Sequence, residues 1–114
     1  MNENEIPILK KTYELYLAFH EYRKLVPKHD RHTTYERADR LILDIIENLF
    51  LAGYGKQANK GELLEQTSAK LNLLRLLVRL MKDTKTLDTK KYVVLQEIID
   101  DTGRQLGGWS RSVR

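Results

Sequence analysis

Cysteine is absent from the 114-residue chain, which removes disulfide frameworks, thiolate zinc sites and thiol nucleophiles together and fits a reducing cytosol. Proline occurs only at Pro7 and Pro27, so little interrupts a helix between them or beyond. No apolar run approaches the roughly 18 residues of a membrane span. Even the richest segment, 71–81, is broken by Arg75 and Arg79. Residues 1–7 (MNENEIP) lack the basic stretch and apolar run of a secretory signal, so a soluble, cytoplasmic protein with no membrane partner is expected. A large excess of either charge is also missing. The 20 Lys and Arg against 16 Asp and Glu leave a net charge of +4 and a pI near 9.3, which permits an anionic partner without demanding one.

What is present is 41% hydrophobic residue in a length suited to one domain with a modest core. The apolar positions recur at helical spacing, with no alternating strand pattern, and predict an all-α, up-down-up-down antiparallel four-helix bundle. The expected helices span about 7–25, 34–52, 62–82 and 88–106, followed by a basic C-terminal tail, 107–114. In the first, Ile8, Leu15, Phe19 and Tyr22 share a stripe that Pro27 ends. The second begins at a Thr33 or Thr34 cap and gathers Ala38, Leu41, Ile42, Ile45, Ile46 and Leu49 on one face. Glycines 53, 55 and 61 mark a reversal before the third, and Asp88 caps the fourth, where Tyr92, Leu95, Ile99 and Leu106 align.

The third helix is the most informative. Leu74, Leu77, Val78 and Met81 already cover one face, yet Leu73, Leu76 and Leu80 extend the apolar arc past half the circumference. Such a helix is either deeply buried or meets another subunit through the extra leucines. Its remaining face holds Arg75, Arg79 and Lys82 at i, i+4 and i+7, with no acid from Thr67 to Lys82. These cations form either a solvated face or a ladder able to contact successive phosphates. The carboxyl end adds Arg104, Arg111 and Arg114, again without an acid after Arg104, and places Trp109 after two glycines. That indole can stack on a base or, more commonly for a single tryptophan, pack on its own bundle.

Catalytic sets do not emerge. His29 and His32 flank Asp30 and Arg31 in a loop, with only His20 elsewhere, which is a poor metal site; no metal or other cofactor is expected. Gly55-Lys56 lacks the lead-in and the Ser or Thr of a phosphate-binding P-loop. Asp100 and Asp101 are sequence neighbours expected near a helix end, where they point in different directions and cannot share acid-base work. An RNA-processing enzyme would need a cluster of acid, base or metal ligands that these residues do not supply.

Four segments acquire meaning together: Leu25-Val26-Pro27-Lys28-His29, Leu51-Ala52-Gly53, Leu73-Leu74-Arg75-Leu76-Leu77-Val78-Arg79-Leu80, and Gly103-Arg104-Gln105-Leu106-Gly107-Gly108-Trp109. In this order they resemble the accessory variability proteins, Avd, of diversity-generating retroelements, over nearly the whole chain. A cousin group, the four-helix proteins encoded in intervening sequences of bacterial 23S rRNA genes, is similar in fold. The Gly-Gly-Trp ending favours Avd. The cousin type would be a nucleic-acid or protein interaction module without a polymerase partner.

The resemblance to Avd implies a noncatalytic homopentamer of four-helix bundles that binds a dedicated reverse transcriptase and RNA or DNA. In mutagenic retrohoming, such a complex copies a template RNA into error-bearing cDNA that replaces a variable region. By position, Arg75 and Arg79 match the family's paired arginines, Arg104, Trp109 and Arg111 its basic tryptophan-containing end, and Lys28 and His29 its basic turn. Lys82 and Arg114 extend the same cationic set, and Leu73, Leu76 and Leu80 are the expected contact between copies.

Overall fold

The computed structural model describes residues 6–55 and 57–113. Its helices are α1 Pro7–Tyr22, α2 Thr34–Tyr54, α3 Lys60–Asp83 and α4 Thr89–Ser112, and no strand occurs among the described residues. Neighbouring helices run in opposite directions, as their side-chain contacts record. Arg75 of α3 meets Asp100 of α4, whereas Lys82, further along α3, lies over Tyr92 near the start of α4. Likewise Lys11 of α1 meets Asp101, while Lys91 lies over Tyr22. Each helix packs on its chain neighbours, and α1 closes the circle against α4, which makes an all-α antiparallel four-helix bundle 42 Å long.

The core follows the apolar stripes. Leu15 and Phe19 of α1, Ile42, Ile45 and Leu49 of α2, Leu71, Leu74 and Met81 of α3, and Leu95 and Ile99 of α4 are all buried. Polar residues inside are small and satisfied locally: Thr12, Thr67 and Thr102 each donate to the carbonyl four residues earlier. Two buried side-chain atoms lack a partner among the described residues: the amide nitrogen of Asn48, which is 6% exposed, and Oε1 of half-buried Gln96.

Several boundaries differ from the sequence expectation for physical reasons. Residues 107–112 are not part of a separate tail, because α4 continues through Gly107 and Gly108 to Ser112; Arg114, the last residue of the expected tail, lies outside the described residues. Two glycines cost a helix about 1 kcal/mol each relative to alanine, and Trp109 offsets this by packing on the core beyond them. Gly53 and Gly61 also lie within α2 and α3 rather than in a loop. A Cβ on Gly53 would collide with Cδ1 of Ile6 and stand 3.7 Å from Cη2 of Trp109, so this glycine serves close approach of three chain segments, not chain reversal. Thr33 does not cap α2 with its side chain; its hydroxyl donates to the Asp30 carbonyl instead. Asp88 does cap α4, accepting from the Lys91 N–H at 2.8 Å.

The α3–α4 connection carries one backbone conformation that its residue disfavours. Lys85 has φ 64°, and around it the Thr86 N–H reaches the Met81 carbonyl while the Lys85 N–H reaches that of Lys82, a Schellman closure. Glycine adopts this conformation without the Cβ conflict. Lys85→Gly is therefore expected to stabilise the protein by about 0.5–1 kcal/mol, read as a higher urea midpoint at unchanged slope.

Candidate functional site

The three cations on α3 are less free than their spacing indicates. The Arg75 Nε lies 3.3 Å from Asp100 of α4, and its Nη1 donates to Asn72. Arg79 pairs with Asp83 one turn on, at 3.3 Å. Lys82 sits over the Tyr92 ring, 5.1 Å from its centroid. Acids missing from the linear stripe are thus supplied by the turn beyond it and by the adjacent helix.

On α4, the chemistry gathers along one flank. Arg75, Arg104 and Arg111 line a single open groove of about 940 Å³ between the first half of α3 and the second half of α4. The groove exists because facing positions are small: Gly61 and Ser68 on α3, and Gly103, Gly107 and Ser110 on α4. Gly103 gives Arg75 its resting place, since a Cβ there would lie 2.6 Å from Nη2 of that arginine. The Arg111 side chain folds back along α4, and Nη1 would be 3.4 Å from a Cβ on Gly107. This backward lean is the normal direction of helical side chains.

Asp100 and Asp101 stand in the interior of α4, not near its end, and face different tasks. Asp100 holds Arg75 within the groove. Asp101 accepts from Lys11 of α1 and Arg104, both at 3.2 Å. The hydrogen bond from Lys11, with a smaller contribution from Arg104, keeps the Asp101 carboxyl below the ordinary carboxylate range. Reciprocally, Asp101 and then Glu14 raise the Lys11 ammonium. The pair ties α1 to α4 and leaves Arg104 tethered at the groove rim.

The other sequence-selected residues lie elsewhere. Lys28 and His29 occupy a short turn between α1 and α2, at the end of the bundle opposite Arg111, and are exposed. His29 turns toward Asp30 at 3.4 Å while His32 turns toward Glu36, so the two imidazoles face different carboxylates. Trp109 is half-buried against the core and Gly53, which commits its indole to packing. Arg114 lies outside the described residues. Leu73, Leu76 and Leu80 remain 37%, 61% and 42% exposed, so burial within the single bundle does not account for them.

Sequence reasoning missed the groove itself. Asn72, Asp100, Gly103 and Gly107 do not advertise a function singly, and in the sequence Asp100 stands out only as one of two adjacent carboxylates. The available signal was the pair Gly103 and Gly107, one helical turn apart and each beside a cationic side chain. Reading those glycines as helical, rather than as tail, was the step that required the structure.

Fold and surface together define a small all-α bundle that carries arginines along one interhelical groove and leucines along an uncovered helix face. The chain belongs to the bAvd-like family, whose profile matches residues 6–113. This membership agrees with the resemblance carried by the four sequence segments to the accessory variability proteins. None of the curated proteins compared with the chain matches it significantly. Among the described residues no cluster of three or more potential metal ligands occurs, and no helix is long and apolar enough to cross a membrane.

Proposed function

We propose that this protein is the noncatalytic accessory scaffold of a diversity-generating retroelement, acting in the cytoplasm. Copies of the bundle join into a ring, and the ring holds the element's reverse transcriptase together with its template RNA or the cDNA during mutagenic retrohoming. The family match across residues 6–113 is the observation that carries this reading. The guanidinia of Arg75, Arg104 and Arg111 on one groove support it as a surface for anionic chains. Lys28, His29, Arg79, Lys82 and Arg114 would extend the cationic surface around each copy, while Trp109 contributes by fixing the end of α4.

The apolar surface supports association into a closed ring. A ring joins two different patches, one from each neighbour. Leu73, Leu76 and Leu80 offer the first on α3; about half-exposed Tyr13 and Leu17 on α1, with Leu43, Phe50 and Tyr54 on α2, offer the second. In a homopentamer, the modest net charge of +4 would be repeated fivefold, so contacts that are weak singly would act together.

Charge reversal tests the assignment. Arg75→Glu/Arg79→Glu is expected to abolish capture of the reverse transcriptase and its RNA while leaving helical content intact by circular dichroism. Retained complex formation by this variant in a pull-down, with and without the RNA, rejects these arginines as the binding surface.

A further inference from the structure

We infer that the α3–α4 groove is a built site for the phosphodiester backbone of a single nucleic-acid strand, with Gly103 and Gly107 as its positioning residues and Asp100 as its internal competitor. The inference rests on the proposed nucleic-acid role and says where and how the strand is held. The guanidinium of Arg75 lies at Gly103 and that of Arg111 at Gly107. One turn of α4 separates these glycines, so the two cations are staggered by about 6 Å along the helix. Arg104 stands on the rim between them in sequence. The three arginines outnumber the two acids on the lining, Glu65 and Asp100, so a ligand matching this arrangement carries oxyanions repeated along a chain, and guanidinium forks suit phosphate oxygens.

The floor argues for phosphate over an acidic peptide. Leu64, Leu71 and Leu106 line the groove but are only 1%, 2% and 3% exposed, and the exposed large apolar side chain on its lining is Val113 at the end of α4, so a peptide finds one apolar contact rather than a pocket in which to anchor several side chains. Among the described residues no aromatic ring lines the groove, and Trp109 is engaged at Gly53, so bases find no stacking platform there. Recognition is therefore through the backbone, independent of sequence and sensitive to salt.

Asp100 occupies Arg75 before any ligand arrives. A phosphate must take over that guanidinium, so the carboxylate weakens binding and confines it to polyanions able to offer several contacts at once. The glycines act differently. They carry no charge, yet a methyl at Gly103 displaces the Arg75 guanidinium, while one at Gly107 meets that of Arg111 at contact distance and fills the space beside it.

The test follows from that separation of shape from charge. Binding of a labelled, mixed-sequence single-stranded RNA to the full chain is measured by fluorescence anisotropy across a salt series, for the wild type, Gly103→Ala/Gly107→Ala and Asp100→Asn. Alanine favours the helix over glycine, so the double variant should melt higher than wild type while binding RNA about tenfold more weakly, the loss of one charge-assisted contact. Its plot of log K against log salt should flatten by about 0.7, one single-strand phosphate. Asp100→Asn should tighten binding by up to about fivefold, the worth of an exposed ion pair. Wild-type affinity and salt slope in the double alanine variant overturn the groove while leaving RNA binding by other surfaces standing. Equal competition by polyglutamate at matched charge overturns the phosphate assignment. Failure of the wild-type protein to bind RNA overturns the nucleic-acid role itself.

Discussion

Tyr35→Ala is expected to remove about 3–5 kcal/mol of stability, a large share of the roughly 5–15 kcal/mol available to a domain of this size. Tyr35 is 1% exposed, and its ring stacks on Phe19 with centroids 4.3 Å apart and planes within 8°. Its hydroxyl also completes the end of α1. There the helix tightens, the Arg23 N–H turns to the His20 carbonyl, and the Phe19 carbonyl accepts from Tyr35 instead. Burial, with nearby Asp39, pushes the phenol well above its ordinary titration range, so it remains a donor at any physiological pH. Urea unfolding of Tyr35→Phe separates the contributions: losing the hydroxyl alone should cost about 1 kcal/mol. A loss below about 1 kcal/mol for Tyr35→Ala would show that this ring does not anchor α1 to α2.

The second large effect concerns assembly. Leu73→Gln/Leu76→Gln/Leu80→Gln keeps the charge and the helix propensity of α3 while removing its uncovered apolar surface. Covering three leucines already in part buried is worth on the order of 3–6 kcal/mol per interface, which corresponds to roughly a 10²- to 10⁴-fold change in association. Light scattering should then give the 13.4 kDa mass of one protomer at concentrations where the wild type is a multiple of it. The isolated bundle should lose little stability, because exposed positions usually contribute within about 0.5 kcal/mol. An unchanged assembly mass would remove these leucines from the interface and direct attention to Phe50 and Tyr54 on α2, whose rings meet at a 41° tilt with centroids 5.1 Å apart.

These two predictions differ in what made them visible. The leucine face could be read from spacing alone, since Leu73, Leu76 and Leu80 exceed the arc that one side of a bundle needs. Tyr35 could not, because its partner lies 16 residues away on another helix. The same distinction runs through the candidate site. Arg75, Arg79 and Lys82 form a stripe in a helical projection, yet Asp100 and Tyr92, which pair with two of them, belong to α4 and depend on how far that helix slides against α3.

The amino-acid sequence by itself determined that four amphipathic helices form, which faces of them turn inward, and that more leucine is present on α3 than one bundle buries. Those properties are encoded every three or four residues, within a single helix. Tertiary structure alone decided that α4 runs on through Gly107 and Gly108, that Trp109 packs on Gly53, and that three arginines border a glycine-lined groove already partly filled by Asp100. Each of these depends on the register between helices distant in the chain, where side-chain volumes and charges from separate stripes first meet.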